Sequence, residues 1–382
     1  MTIRSVAALI GAISVLQVAG PAAAADPLEI PALLPNTGGA AFIGKEFSDT
    51  LRVIEDQVNK SGGINGRQIH FAIQDDQSSP QVTVQLTNAV LAKNPPVIIE
   101  GGPLALCAAV AQLVKDGPLM YCLSPSMRVN SGDYIFSVMA TPRDSLIAVM
   151  DYFKSRGLKR IAILNGTDAT GADGDNILAD IIKLPQFASM TYVANEHFNP
   201  GDLSVSAQIT RIKASGAQVL IAYTTGAPTA TVLHGMADGS LDIPVTTSAG
   251  NMSVAQLDSY KSFVPKELLF PAYPAQAVDP VADAVVLQRI NDFKAAMKSI
   301  SATPDLLHAI PWDATWLVVE ALRRLRPAAT AAQIRTSLAA VTNWPGMLGR
   351  YDFRAIPNRG LGPKALVMER WDPARSVWVL AK

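Results

Sequence analysis

The sequence predicts an α/β protein built as two lobes, each a doubly wound parallel sheet. Short apolar runs rich in β-branched residues alternate with amphipathic helical stretches almost throughout, the pattern of parallel strands covered on both faces. Roughly ten such runs are too many for one ordinary open sheet. The series also restarts: a proline, Pro142, precedes a fresh helix (144–157) and a fresh strand.

In the first series the runs are Leu28–Leu34, Ile69–Gln74, Val97–Glu100, Leu119–Leu123 and Tyr134–Met139. Between the first two, Phe47, Leu51, Ile54 and Val58 recur at helical spacing, and Gly62-Gly63-Ile64-Asn65-Gly66 turns the chain out of that helix. Ser79-Pro80 opens the next helix with a capping hydroxyl and a proline at the first position. The second series runs through Arg160–Leu164, Met190–Ala194, Gln218–Ala222, Pro244–Thr247 and Leu268–Ala272. Three helical stretches then follow without a strand: Val281–Lys298, Trp312–Arg326 and Ala331–Val341. The tail after Pro345 reads as a short strand and a hairpin, around Leu348–Phe353, Ala365–Trp371 and Val377–Leu380.

Composition narrows the function. In 382 residues, 32 Lys+Arg balance 32 Asp+Glu, so no basic field favours nucleic acid or anionic lipid. Arg4, the apolar run Val6–Val18 and Ala22–Ala25 form the pattern of a secretory signal peptide, residues 1–25, cleaved near Ala25. The expectation is therefore a periplasmic protein. Two cysteines, Cys107 and Cys122, suit an oxidising compartment and are read either as a disulfide or as two buried thiols. Asp75-Asp76 reads as a strand-end cap, and the four histidines have no metal-ligand spacing, so no metal and no cofactor is expected. A G-x-S-x-G elbow, a phosphate-binding P-loop and a G-x-G-x-x-G turn after a strand are all missing from the sequence, which argues against an enzyme.

Several fragments in order carry a resemblance: Leu34-Pro35-Asn36-Thr37-Gly38 with Gly44, Asn59–Gly66, Asp75-Asp76, Ser124-Pro125-Ser126, and Lys159–Leu164. With them the chain resembles the type I periplasmic binding proteins of the leucine/isoleucine/valine-binding family. The resemblance implies two lobes joined by three hinge crossings, near Val138–Pro142, Ala272–Pro274 and Pro345–Gly349. The first lobe would hold residues 26–140 and 274–345, the second 141–273 and 346–382. It also implies a non-catalytic receptor, monomeric, handing a small molecule to an ABC permease. A sensor passing its signal to a membrane receptor is the alternative of another class.

In open α/β sheets, ligands sit beyond the carboxyl ends of the strands. Aligned on the family's ligand positions there, the candidates are Ala105, Leu106, Ser126 and Arg128 in the first lobe, with Phe42 and Ile43 as an apolar wall. Thr170, Thr225 and Asn251 stand in the second lobe, and His308 lies at a position that is often tyrosine in the family. Arg128 reads either as a carboxylate clamp or as a solvated rim residue. The second-lobe acid with which amino-acid binders hold the α-ammonium is replaced by Thr247–Asn251, and an unpaired buried ammonium costs several kcal/mol. This favours a carboxylate without an α-ammonium, an aromatic or other apolar acid. Asp168 or Asp173 in the neighbouring loop is the alternative ammonium partner, which keeps branched-chain amino acids open.

Overall fold

The computed structural model describes residues 26–278 and 281–382. The predicted signal segment lies outside the described residues. No helix among those described is long and apolar enough to cross a membrane.

The first lobe begins β1 (Leu28–Leu34), α1 (Ala41–Lys60), β2 (Ile69–Asp75), α2 (Pro80–Leu91), β3 (Val97–Glu100), α3 (Leu104–Val110), β4 (Leu119–Cys122) and β5 (Ile135–Ser137). These strands form one parallel sheet in the order β2-β1-β3-β4-β5. Helix α1 forms because Phe47, Leu51, Ile54 and Val58 share one face, and all four are buried in the core. Ser79 caps α2 by accepting the Val82 N–H, with Pro80 at the first position. A disulfide joins Cys107 of α3 to Cys122 of β4, Cα to Cα 6.1 Å.

The chain crosses to the second lobe at 138–141 and continues as α4 (Pro142–Ser155), β6 (Arg160–Gly166), α5 (Ala169–Ile181), β7 (Thr191–Phe198), α6 (Ser206–Ala214), β8 (Val219–Ala222), α7 (Ala227–Asp238), β9 (Val245–Thr247), α8 (Val254–Ser259) and β10 (Leu268–Ala272). A reciprocal capping box between Thr141 and Asp144 starts α4. Strands β7-β6-β8-β9-β10 repeat the parallel order of the first sheet. The chain then returns for α9 (Ala284–Lys298), α10 (Leu306–Arg324) and α11 (Ala331–Ala339), the hairpin β11 (Trp344–Pro345) and β12 (Arg350–Tyr351), and finally β13 (Val367–Asp372) and β14 (Val377–Leu380). The last two strands add antiparallel to β10, so the second sheet is mixed at one edge rather than wholly parallel. Helix α10 packs along α1 and starts six residues before Trp312, with Pro311 inside it.

The third crossing falls later than the expected 345–349. Asp313 of α10 accepts the Met347 and Leu348 N–H groups at 2.9 and 3.0 Å. Phe353 packs edge-on against Phe136 of β5, and Asn358 exchanges hydrogen bonds with Ser137 and Ile135. The segment 346–361 therefore packs on the first lobe, and the chain crosses only on its way into β13. The first two crossings are tied together, because the Ala140 N–H donates to the Tyr273 hydroxyl at 2.7 Å.

Candidate functional site

Each sheet reverses its winding between its first and third strands, and the two reversal points face each other. The loops after β1, β3 and β4 meet those after β6, β8 and β9 around a cavity of about 70 Å³. At about 10–15 Å³ for each water centre, that space holds roughly five to seven waters. Ile43, Phe47, Leu104, Leu123, Leu307 and Ile310 supply apolar walls from the first lobe. The polar side chains are hydroxyls: Ser124, Ser126 and Tyr223, with Ser145, Thr170, Thr225 and Ser248. Among the described residues, no lysine, arginine, aspartate, glutamate or histidine lines the cavity.

The hydroxyls are held in place from behind. Tyr223 and Ser126 face the cavity from opposite lobes, and burial pushes the Tyr223 phenol up, so it stays neutral. Gly174 lets that ring close on α5: a Cβ there would lie 2.7 Å from Tyr223 Cδ1. Thr225 and Ser248 share a 2.8 Å hydrogen bond that joins the β8 and β9 loops.

The structure divides the predicted residues. Ile43, Ser126, Thr170 and Thr225 come together on the cavity. Phe42 instead closes the cleft mouth against Gly226 of the second lobe, where φ is +82° and a Cβ would lie 3.3 Å from Phe42 Cε1. Ala105 and Leu106 stand off the cavity; α3 begins at Leu104, which takes the wall position and turns Leu106 inward. Asn251 is fully buried outside the cavity, accepting the Gly226 N–H at 2.8 Å and donating to Thr224 O at 2.8 Å. It fixes the β8 loop to the β9 loop. Asp168 is the N-cap of α5, accepting from the Gly171 N–H at 2.9 Å, so its carboxylate serves the helix. Arg128 points outward with 89% of its side chain exposed, 3.9 Å from Asp173 of the facing lobe. It is a rim contact rather than a clamp, because the preceding Met127 turns inward and leaves the next side chain facing solvent.

His308 lies behind the cavity wall in a buried cluster with Glu46 and Asp305, whose ligand-type atoms all fall within 4.8 Å of one another. Asp305 accepts from His308 Nδ1 at 2.8 Å and from the His308 N–H, and its second oxygen accepts the Val254 N–H of the other lobe at 3.0 Å. Glu46 accepts from the Ser253 hydroxyl at 2.5 Å, also across the cleft. Burial first, then the neighbouring Asp305 carboxylate, pushes Glu46 up from 4.5 to about 9. Glu46 Oε1, His308 Nδ1 and both Asp305 oxygens are already committed to protein partners, and the contacts to Ser253 and Val254 latch one lobe to the other.

Comparison with known proteins gives a consistent picture. The sequence model of the family described as "Periplasmic binding protein" matches residues 27–372. The Leu/Ile/Val-binding protein BraC3 of Rhizobium johnstonii is 28% identical over 208 residues, 52% of this chain and 55% of that protein. The chain thus matches about half the length of this curated relative. Among solved structures, the branched-chain amino acid transporter substrate binding protein LivJ of Streptococcus pneumoniae, in complex with isoleucine, superposes with a TM-score of 0.79 at 16% identity, covering 94% of this chain and 100% of that one. A solute binding protein of an ABC transporter from Rhodopseudomonas palustris, in complex with 3,4-dihydroxy benzoic acid, superposes with a TM-score of 0.73 at 17% identity, covering 93% and 96%. At these identities the likeness is one of fold.

Proposed function

This chain belongs to the periplasmic binding protein family, and on that premise we propose that it is the extracytoplasmic receptor of an ABC importer, closing on a small apolar carboxylate that lacks an α-ammonium. The observation that carries the reading is the uncharged, hydroxyl-lined cavity between the lobes. Hydroxyls and loop N–H groups suit a carboxylate, while an ammonium there would have no anionic side chain to meet. The acids that the sequence held open for that role stand off the cavity: Asp168 caps α5 and Asp173 faces Arg128 on the rim. The apolar walls suit an aromatic or aliphatic acid. Binding recruits the second-lobe hydroxyls to a ligand resting on the first lobe, and the closed form is what a permease would engage. No covalent step is required, and the receptor works as a monomer.

The relatives' names support a second reading, a receptor for branched-chain amino acids. A thermal-shift panel on the mature protein, unfolded and refolded to strip ligand, separates the two. Stabilisation by benzoate or 3-methylbutanoate, but not by L-leucine or L-isoleucine, is expected. Stabilisation by the amino acids and not by the amine-free acids overturns the first reading in favour of the second.

A further inference from the structure

Resting on the carboxylate reading above, we propose that Arg359 is the charge that makes the cleft select anions, although it never touches the ligand. Arg359 follows β12 on the first lobe and is 4% exposed. Its guanidinium donates to four backbone carbonyls: Pro125 at 2.9 Å, Val138 at 2.8 Å, Met139 at 3.2 Å and Met127 at 2.7 Å. It makes no ion pair among the described residues. Asp144 is the carboxylate whose field reaches it, and that group is spent on the Thr141 N–H and hydroxyl at the start of α4. Tyr121 and Tyr273, also close by, are kept neutral by burial.

A buried cation satisfied only by dipoles still lacks a counter-charge. The carbonyls it holds belong to the two segments that wall the cavity, since Pro125, Ser126, Met139 and Ala140 all line it. A trans peptide sets its N–H opposite its C=O, so the Ser126 and Met139 N–H groups point away from the guanidinium. Neither has an acceptor among the described residues. Arg359 thus aligns two peptides with their positive ends toward the cavity and adds its own charge behind them. Asp144 subtracts from that field. Closure removes water from the cleft, and a ligand carboxylate becomes the missing counter-ion. A neutral molecule of the same shape gains none of this.

Along guanidinium, carbonyl, N–H and carboxylate the separation is roughly 8–9 Å, which at an effective dielectric constant near 20 gives about a thirtyfold preference. The experiment measures Kd for benzoate against benzamide and for L-isoleucine against L-isoleucinamide, by calorimetry. Wild type is expected to prefer the acid. Arg359→Gln is expected to lose about thirtyfold of that preference while binding the amide within about threefold of wild type, and Arg359→Lys to recover most of it. Asp144→Asn keeps the cap acceptor and removes the opposing charge, so the preference rises; this variant carries the test should Arg359→Gln fail to fold. A preference unchanged in Arg359→Gln, or not raised in Asp144→Asn, overturns the role of Arg359 and leaves the carboxylate reading standing. Equal wild-type affinity for acid and amide overturns the carboxylate reading itself.

Discussion

Replacing Glu46 by glutamine tests whether the interlobe latch couples closure to a proton. Glu46 and Asp305 both sit on the first lobe, with Lys45 and His308 beside them, while Ser253 and Val254 reach across from the second. Closing the cleft buries Glu46 under that loop, and the carboxyl is pushed up to about 9. The sign follows from linkage. A group whose value is raised in the closed form favours closure fully below its ordinary value of 4.5, and that contribution is lost as the pH rises toward about 9. One proton sets a ceiling of about tenfold in Kd per pH unit, hence at most about a hundredfold between pH 6 and pH 8. Asp305 neighbours Glu46 in the open form too, so the measured slope lies under that ceiling. Glutamine keeps an acceptor for Ser253 and removes the titration. Calorimetry at pH 7.5 in two buffers of different ionisation enthalpy counts the protons taken up on binding benzoate or L-isoleucine. Wild type is expected to take up a measurable fraction of a proton and Glu46→Gln less, with a flatter pH profile. Equal uptake by the two proteins refutes the coupling.

Two further outcomes are expected. Arg128→Ala should weaken binding by less than about fivefold, the scale of an exposed ion pair, because its side chain is 89% exposed and 3.9 Å from Asp173; a hundredfold loss in a binding titration would put a ligand on it after all. Replacing Cys107 and Cys122 by alanine should cost about 3 kcal/mol of stability, the loop-closure value for a bridge spanning 15 residues, read as a lower urea midpoint; an unchanged midpoint would show that the bridge leaves the unfolded chain unconstrained.

The strand series and the lobe count were legible because short apolar runs alternate with period-3.6 helical stretches, and because strand-end loops are rich in glycine and hydroxyls. Ile43, Ser126, Thr170 and Thr225 were legible at the cavity for the same reason. The remainder depended on quantities that local patterns do not carry. Whether Leu104 or Leu106 faces the cleft is decided by where α3 begins, a shift of two residues, which is more than half a helical turn. Asn251 and a ligand-binding asparagine look alike until the Gly226 N–H is seen to need an acceptor. Arg359 sits some 220 residues or more from the carbonyls it holds, and nothing near it in sequence marks it as buried. Tyr223 directly follows a buried strand and was legible in principle as a strand-end side chain at the switch point.

The lateness of the third crossing bears on how the chain becomes a protein at all. The first sheet is complete by Ser137, yet one flank of α1 stays bare until α10 is made, and Phe136 waits for Phe353. An emerging chain therefore holds five strands that it cannot finish covering for more than 160 residues, with most of a second lobe intervening. Contacts so distant in sequence form slowly, and a lobe whose last pieces come from the far end of the chain cannot be completed vectorially during synthesis. On the proposed extracytoplasmic reading that delay has a use: a lobe left unfinished until the far end of the chain is made keeps the polypeptide threadable.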